Sequence, residues 1–445
     1  MSATWKRWGA GALSVTALGA LATTLAACGG SDAPDVRADL SQAERPAPVA
    51  AEAADASRAQ APEGPAPALL VSYAQFEKVG GKPRPGPAKL SIWRTDGARW
   101  WEEVLEDEGS NVFHKAVPWE GGILTIAAGQ LGEDPPRPAQ LRHWVKQDGA
   151  WKPTTLWERA WGGRFQRLRD FEIGDLDGDG DDDIAIATHD MGVVAVGTRG
   201  DDGAWSFTEL DQKADTFVHE IEIGDVDGDG RNEFYATPSA RNKASGESQP
   251  GGVVRYDPAG GTWKRTPVLS WEGSHAKEIT VADVDGDGTD ELYVVREAHV
   301  VKDGDRARIE EPVKILRAER RGSAWTEVEV ARIEDQQLRF LVPGDVDHDG
   351  TTELVAAAYK SGLWLLEPKG DGTFEPTLID RMSSGFEHAA HVADLDGDGK
   401  VEIYVASDDQ RELRRYVWDG TSFARERIAT IPEMHITWNI QDAKL

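Results

Sequence analysis

The sequence predicts an all-β protein, a seven-bladed β-propeller built from four-stranded blades. Three observations support this fold class. An acidic loop recurs five times between segments in which apolar and polar residues alternate, as they do in β-strands. A glycine-containing turn followed by an aromatic residue recurs seven times. The two ends of the repeat region also complement each other, because one resembles the first strand of a unit and the other resembles the second.

Each acidic loop reads D-x-D-x-D-G-x-x-D/E, beginning at Asp175, Asp225, Asp283, Asp345 and Asp394. Alternating carboxylates, a turn-forming residue at position six and an acid at position nine suit a hard cation such as calcium. An EF-hand would need a glutamate at position twelve, but that position holds Ile186, Ala236, Val294, Ala356 and Val405. We therefore expect each loop to join two β-strands. Without a cation its carboxylates would repel one another, so calcium should contribute to folding.

The repeating unit is longer than the acidic loop. Successive loops start 49 to 62 residues apart, close to the period of propeller blades. The aromatic residue that opens the last strand of each unit is Trp100 or Trp101, then Trp151, Trp205, Trp263, Trp325, Phe374 and Phe423. The first two units lack the acidic loop, and the second has Glu120-Gly-Gly122 instead. Four strands per unit are exemplified by Arg169–Ile173, Ile184–Ala187, Val193–Val196 and Trp205–Thr208.

The ends of residues 67–445 predict a closed ring. His435–Ile440 resembles a first strand with no unit after it, and Ala68–Ser72 resembles a second strand with none before it. Pairing them in one blade would remove two exposed sheet edges. Four polar segments that contain glycine or proline are expected to be loops, namely Gly80–Ala88, Gly129–Gln140, Pro238–Gly251 and Arg296–Pro312.

The acidic loops resemble the FG-GAP or VCBS repeats of integrin-α-like propellers. The resemblance implies that side chains at positions one, three, five and nine, with the carbonyl of position seven, bind calcium. The only departure is His348, at a position that supplies no side-chain ligand. The resemblance thus implies about five structural calcium sites, formed by Asp175, Asp177, Asp179, Asp181 and Asp183; Asp225, Asp227, Asp229, Arg231 and Glu233; Asp283, Asp285, Asp287, Thr289 and Glu291; Asp345, Asp347, Asp349, Thr351 and Glu353; and Asp394, Asp396, Asp398, Lys400 and Glu402.

Residues 1–27 resemble a bacterial lipoprotein signal peptide. Lys6 and Arg7 precede an apolar run that ends in the lipobox Leu25-Ala-Ala-Cys28. Cys28 is the only cysteine, so no intramolecular disulfide can form, and we expect lipidation of Cys28. An ordinary signal peptide or a transmembrane anchor with an incidental cysteine is the alternative.

Residues 28–66 predict a disordered tether behind the lipidated cysteine. They are rich in alanine, proline and acidic residues and contain no aromatic residue, so they cannot form a packed core. We expect the protein to be anchored in the cell envelope through the lipid, at the outer membrane or cell surface. The net charge of -29 argues against nucleic acid as a partner, and we expect a monomer.

A basic residue lies six positions before every acidic loop. These residues and two histidines at comparable points of the loop-less units form the predicted channel-mouth ring of His114, Arg169, His219, Lys277, Arg339, His388 and His435. In a propeller they would surround the central channel on the face opposite the calcium loops. Such a ring could bind a carboxylate, sulfate or phosphate, for example on an acidic sugar.

Other interpretations of the ring remain open. The cations could neutralise Glu220, Glu278 and Glu387 and line the channel. His219, His388 and Arg339 could instead serve a polysaccharide lyase as acid, base and charge neutraliser. A transition-metal site could also form from His114, His219, His388 and His435.

The sequence therefore favours a membrane-anchored, extracytoplasmic, calcium-binding propeller that acts as a binding or interaction module. Its ligand would be an anionic glycan or an envelope protein. The alternatives are a polysaccharide lyase that works at the channel mouth and a purely structural envelope protein. Activity on uronic-acid polymers would distinguish the enzyme from the other two classes. The sequence has no convincing G-x-S-x-G, P-loop, zinc or Rossmann motif.

Overall fold

The computed structural model describes residues 64–129, 137–162, 166–200, 202–243, 247–304, 306–322 and 324–445. Cys28, the signal segment 1–27 and almost all of the tether 28–66 lie outside these residues. The thirty regular elements in the described ranges are all β-strands. Within these ranges, no helix has the length and apolar character needed to cross a membrane.

The strands in chain order are β1 (Pro67–Val79), β2 (Lys82–Thr95), β3 (Trp100–Asp107), β4 (Ser110–Trp119), β5 (Gly122–Gly129), β6 (Ala139–Gln147), β7 (Ala150–Arg159), β8 (Leu168–Gly174), β9 (Asp183–Thr188), β10 (Val194–Arg199), β11 (Trp205–Asp211), β12 (Thr216–Gly224), β13 (Glu233–Ala240), β14 (Gly251–Ala259), β15 (Thr262–Trp271), β16 (Ala276–Ala282), β17 (Glu291–Arg296), β18 (His299–Asp303), β19 (Arg306–Glu311), β20 (Val313–Arg321), β21 (Ala324–Ile333), β22 (Leu338–Gly344), β23 (Glu353–Ala358), β24 (Leu363–Pro368), β25 (Phe374–Asp380), β26 (Ala390–Ala393), β27 (Glu402–Ser407), β28 (Glu412–Trp418), β29 (Phe423–Thr430) and β30 (His435–Lys444).

Most strands form separate four-stranded antiparallel sheets. Four of these sheets follow chain order, β8 to β11, β12 to β15, β22 to β25 and β26 to β29. The fifth has the order β16-β17-β20-β21 because the hairpin β18–β19 is inserted after its second strand. The expectation of a loop over Arg296–Pro312 was therefore wrong. Asp303-Gly304 is a favourable turn sequence, and Gly304 has a φ of 64°, so the segment folds back as a hairpin.

The remaining eight strands form two four-stranded groups, β30-β1-β2-β3 and β4 to β7, joined by one bridge between Ala74 and Val112. In the first group the first and last strands of the described chain pair in antiparallel register, with Val71 opposite Ile440. The loop expected over Gly80–Ala88 was also wrong. Only the turn Gly80-Gly81 separates β1 from β2, because both glycines adopt positive φ angles and close a tight hairpin.

The first strands of the units contact one another in the order β4, β8, β12, β16, β22, β26 and β30, and β30 contacts β4. The apolar core lies between neighbouring sheets rather than in one central layer. For example, Leu124 of β5, Phe171 of β8 and Ile186 of β9 belong to one buried cluster. Since both faces of such sheets are covered, the second strands are mostly apolar after the acid that begins them, and all of Asp183–Thr188 is buried.

The acidic loops all join the first strand of a sheet to its second, as the sequence predicts. Gly174 ends β8 and Asp183 begins β9, and the other four loops occupy equivalent connections. The residues that begin the first strands therefore lie at the opposite ends of those strands. The architecture places the acidic loops and the channel-mouth ring at opposite ends of the same set of strands.

Candidate functional site

Each acidic loop folds around its own first aspartate. The backbone N–H of position six donates to that carboxylate in all five loops, at 2.7 Å in the case of Gly230 and Asp225. The position-nine acid accepts the N–H of position two, as in Val346 to Glu353 at 2.9 Å. Position four adopts positive φ, which glycine tolerates readily. His348 adopts the same conformation with a φ of 63° and contacts the Asp345 carbonyl through Nδ1 at 3.1 Å.

The loops bring carboxylate oxygens to within 4.8 Å of one another in five clusters. In the loops that start at Asp283, Asp345 and Asp394, the cluster contains positions one, three, five and nine. The other two clusters contain three acids each, which are Asp175, Asp177 and Asp183 in one and Asp225, Asp227 and Asp229 in the other. Asp179 and Glu233 are not in these clusters, and neither are the side chains of position seven, Asp181, Arg231, Thr289, Thr351 and Lys400.

Buried oxygens without partners show that these clusters fit a cation. Asp227 Oδ1, Asp283 Oδ1 and Asp345 Oδ1 are buried, and no hydrogen bond reaches them from the described residues. Burial and the neighbouring carboxylates raise the pKa of the position-nine acids, to about 7 for Glu353 and Glu402. Hard oxygen ligands at this density suit calcium, which accepts six to eight of them. A bound ion would supply the positive charge that these loops lack.

The loop at 225–233 differs from the others because arginines already contact it. Arg255 Nη2 and Arg320 Nη1 donate to Asp227 Oδ2 at 2.6 and 2.5 Å. Glu233 accepts the Tyr235 hydroxyl at 2.5 Å and lies 3.5 Å from Arg255 Nη1. Two guanidinium groups therefore partly neutralise this loop, which would weaken its attraction for a metal ion.

The structure connects four groups at the opposite ends of the first strands. Arg169 Nη1 donates to His114 Nδ1 at 3.2 Å, and Arg169 Nη2 lies 3.6 Å from Glu387. Arg339 Nη2 donates to the same carboxylate at 3.4 Å. Trp438, which the sequence analysis did not select, packs against this group, with its ring 4.5 Å from His114 and 5.3 Å from the Arg169 guanidinium. We call His114, Arg169, Arg339, Glu387 and Trp438 the Glu387 cluster.

The other members of the channel-mouth ring have separate surroundings. His219 contacts Ser239 Oγ at 3.1 Å, and its ring lies 5.3 Å from His189. His388 donates from Nδ1 to the Ala358 carbonyl at 2.7 Å. His435 donates from Nδ1 to the Glu433 carbonyl at 3.1 Å. The Lys277 side chain is buried, and it makes no hydrogen bond or ion pair with the other residues that the structure describes.

The ring carries less positive charge than its composition suggests. Burial lowers the pKa of His388 to about 4, and burial with nearby Arg169 and Lys277 holds the pKa values of His114 and His219 well below normal. Burial and repulsion from Arg339 lower the pKa of Lys277 to about 8. The imidazoles are therefore neutral at pH 7, which leaves two guanidinium groups and Lys277 as the cations.

An acidic layer lies further along the same first strands. Lys115 of β4 is 3.1 Å from Asp170 and also pairs with Glu172. Burial and repulsion from neighbouring carboxylates such as Asp170 hold the pKa values of Glu220, Glu222 and Glu278 well above normal. In this acidic layer the neutralising cation is Lys115. The guanidinium groups of the ring pair with Glu387 instead.

Two alternative interpretations find no geometric support among the described residues. No hydrogen bond or ion pair joins His219, His388 and Arg339, the three groups considered for a lyase. The histidines considered for a transition-metal site, His114, His219, His388 and His435, form no cluster with converging ligand atoms in the described ranges.

The repeat region matches a protein-family model described as an FG-GAP-like repeat, over residues 225–294 and 345–405. The chain contains FG-GAP-like repeats. These matched ranges include four of the five acidic loops and the strands after them, so the FG-GAP-like motif coincides with the loop geometry described above. No curated protein matches the sequence.

Solved structures resemble this chain over a longer stretch than the family model does. A protein from Lactobacillus plantarum has a TM-score of 0.56 at 11% identity, covering 85% of this chain and 99% of its own. A putative 6-phosphogluconolactonase from Bacteroides uniformis has a TM-score of 0.53 at 12% identity, covering 84% and 99%. A second, from Bacteroides fragilis, has a TM-score of 0.51 at 13% identity, covering 86% and 98%. These likenesses show a β-propeller fold.

Proposed function

We propose that residues 67–445 form a closed seven-bladed β-propeller whose five acidic loops bind structural calcium ions. The chain of contacts between first strands and the pairing of β1 with β30 support the blade count and the closure. Five carboxylate clusters, three of which contain a buried oxygen without a partner, support the calcium sites. Calcium would stabilise the fold rather than take part in ligand binding, since the loops lie at the far ends of the strands.

We further propose that the propeller is a binding module for an anionic glycan, with the Glu387 cluster as its site. Three buried N–H donors without a partner carry this proposal, which are His114 Nε2, Arg339 Nε and Trp438 Nε1. The proton on His114 is assigned to Nε2 because Nδ1 accepts a hydrogen bond from Arg169, which can only donate. Unpaired buried donors next to guanidinium groups favour a ligand with negatively charged acceptors, such as a uronic acid.

The cluster also has space next to it. His114 and Trp438 line a cavity together with Ala74, Val112 and Arg167. A carboxylate that entered from the channel could accept hydrogen bonds from these donors while the Glu387 contacts rearranged. An envelope protein that presents acidic side chains would offer the same chemistry and is the other ligand class consistent with this site.

The proposed location follows from the N-terminal sequence. A lipid on Cys28 would anchor a monomeric protein in the cell envelope, and residues 28–66 would act as the tether. Radiolabelled palmitate incorporation into the wild-type chain but not into Cys28→Ser would support this part of the proposal.

Calorimetric binding of oligogalacturonate to the full chain in calcium tests the proposed ligand class. Trp438→Phe removes one N–H donor and keeps an aromatic ring, and we expect binding at least about tenfold weaker because hydrogen bonds to charged groups contribute about 1.5 to 3 kcal/mol. Trp418→Phe is the matched control, since its ring packs on Phe423 away from the cluster. Equal affinities for the two variants would contradict the assignment of the site, and no binding by the wild type would redirect the search to acidic protein partners.

A further inference from the structure

A second polar cleft opens at the same end of the first strands. It lies between the connection from β13 to β14, the start of β16 and the segments that follow β17 and precede β22. Its lining includes Gln249, His275, Lys277, Glu297 and Gln337, and we call it the Glu297 cleft. With the solvent at its mouth included it measures about 350 Å³. Because part of this volume is open solvent, the cleft itself admits one edge of a ligand rather than a whole oligosaccharide.

Rigid contacts hold the walls of the cleft. The Glu297 N–H donates to the His275 carbonyl at 3.0 Å, so their side chains start from neighbouring strand ends. Ser248 donates from Oγ to the Ala298 carbonyl at 2.9 Å and accepts the Val300 N–H at 2.8 Å. These bonds hold Ser248, which precedes β14, against Ala298 and the start of the hairpin β18–β19. The walls of the cleft are therefore held in place by hydrogen bonds at the interface between two sheets.

Two polar atoms in the cleft are buried and have no partner among the described residues, His275 Nδ1 and Glu297 Oε1. The two residues are only 5% and 4% exposed. Gln249 Nε2 donates to His275 Nε2 at 3.2 Å and to Asn242 Oδ1 at 2.6 Å. His275 Nε2 is thus an acceptor, and the proton of the neutral ring lies on Nδ1. The cleft offers one unpaired donor and one unpaired acceptor.

Charges of both signs surround these atoms. Burial lowers the pKa of His275 well below its usual value, so the ring is neutral at pH 7. Lys277 and the Glu297 carboxylate influence each other and are of opposite sign. The rest of the described lining consists mainly of side-chain amides, a hydroxyl and apolar groups, with Glu247 and Lys243 at its edge. A site of this kind selects against a strongly charged ligand, because an anion would meet Glu297 and a cation would meet Lys277.

We propose that the Glu297 cleft binds the vicinal hydroxyl groups of a neutral sugar, with His275 Nδ1 donating to one hydroxyl and Glu297 Oε1 accepting from it or its neighbour. A hydroxyl group donates one hydrogen bond and accepts others, so it satisfies both unpaired atoms without bringing charge into a buried site. Amide side chains of the lining, such as Gln337, suit further hydroxyls. This second site goes beyond the acidic-ligand site at the Glu387 cluster and does not depend on it.

Saturation-transfer NMR with three neutral probes tests this proposal, using the full chain in calcium. The probes are methyl α-D-mannopyranoside, methyl β-D-galactopyranoside and methyl β-D-glucopyranoside. We expect signal transfer to at least one of them and at least tenfold weaker binding by Glu297→Gln, which replaces the charged acceptor. Glu310→Gln makes the same charge change on the exposed neighbouring strand β19 and should retain wild-type binding.

A second variant tests the same site in case Glu297→Gln fails to fold. Gln249→Leu removes the amide that holds the His275 proton on Nδ1 and should also weaken binding, in a protein whose calcium-dependent melting temperature is unchanged. The proposal is overturned if no probe shows transfer, if both variants bind as the wild type does, or if serine competes for the site and the sugars do not. Trp438→Phe should leave glycoside binding unchanged, so failure at one site is distinguishable from failure at the other.

Discussion

Replacement of Asp345 by asparagine should change stability in opposite directions with and without calcium. Asp345 Oδ2 accepts the Gly350 N–H at 3.2 Å, while Oδ1 is buried without a partner among the described residues. Asparagine can keep the first bond with its carbonyl oxygen. Its amide group would then take the place of Oδ1 and remove one negative charge from a cluster of four. In a chelator this relieves repulsion, whereas in calcium it removes a ligand.

The magnitude follows from binding linkage. Extracellular calcium modules bind with dissociation constants of about 0.1 to 1 mM, so 10 mM calcium should stabilise each site by about 1.4 to 2.7 kcal/mol. A folded region of about 380 residues has an unfolding entropy near 0.8 kcal/mol/K, which converts this energy to about 2 to 3 °C per site. Five equivalent sites would raise the melting temperature by about 9 to 17 °C, and Asp345→Asn should lose about a fifth of that rise.

Differential scanning calorimetry in chelator and in 10 mM calcium measures both effects. Asp371→Asn is the control, because Asp371 lies in an exposed turn between β24 and β25 and belongs to none of the five carboxylate clusters. If Asp345→Asn shows the same calcium-dependent rise as the wild type, the loop at 345–353 does not bind calcium. If the variant is also less stable in chelator, repulsion between the carboxylates is not the dominant cost of the metal-free loop.

Three further predictions concern the same molecule. The calcium-dependent rise in melting temperature should be larger at pH 7.5 than at pH 5.5. The pKa values of Glu353 and Glu402 are raised to about 7, so protons bound at low pH stabilise the metal-free folded state, and this stability is lost as the pH rises to 7. At pH 5.5 calcium must therefore displace protons from these acids. Equal rises in melting temperature at the two pH values in scanning fluorimetry would contradict this. Arg255→Gln should strengthen calcium binding at 225–233 in calorimetric titrations because it removes a competing cation from Asp227, and an unchanged or weaker affinity would show that Arg255 supports the loop. Phe171→Ala should cost about 3 to 5 kcal/mol, or about 4 to 6 °C, because Phe171 is fully buried between two sheets; a smaller shift in calcium would mean that the core collapses around the vacated space.

The strand pattern was largely readable from the sequence because it depends on local chemistry. The aromatic residues chosen as strand openings lie at or next to the first residue of their strands, as Trp205 in β11 and Phe423 in β29 show. The acidic loops also join first and second strands as expected. The hairpin β18–β19 was missed because its polar composition resembles a loop, although Asp303-Gly304 was a usable turn signal.

The candidate ligand sites were less predictable because side-chain partners come from distant parts of the chain. The regular spacing of Arg169 and Arg339 before their loops identified both residues, and the sequence analysis named Glu387 among the acids that the ring could neutralise. Nothing local, however, indicated that both guanidinium groups meet at Glu387 or that Trp438 packs beside Arg169. The same limit applies to the Glu297 cleft. The sequence analysis treated Glu297 only as part of a loop, and its position became apparent once β17 was seen to end beside His275.

The pairing of β1 with β30 makes the order of synthesis important for folding. Arg94 donates to the carbonyl of Leu445 across 351 positions of the chain. In an otherwise unfolded chain, closing a loop of this length would cost about 5 kcal/mol in entropy, beyond a constant. Sheets between the two ends can form from local hairpins first and thereby bring the ends together. Until β30 emerges from the ribosome, however, one edge of β1 remains unpaired, so a ribosome that stalls late in translation would release a nearly complete chain with a strand edge open to aggregation.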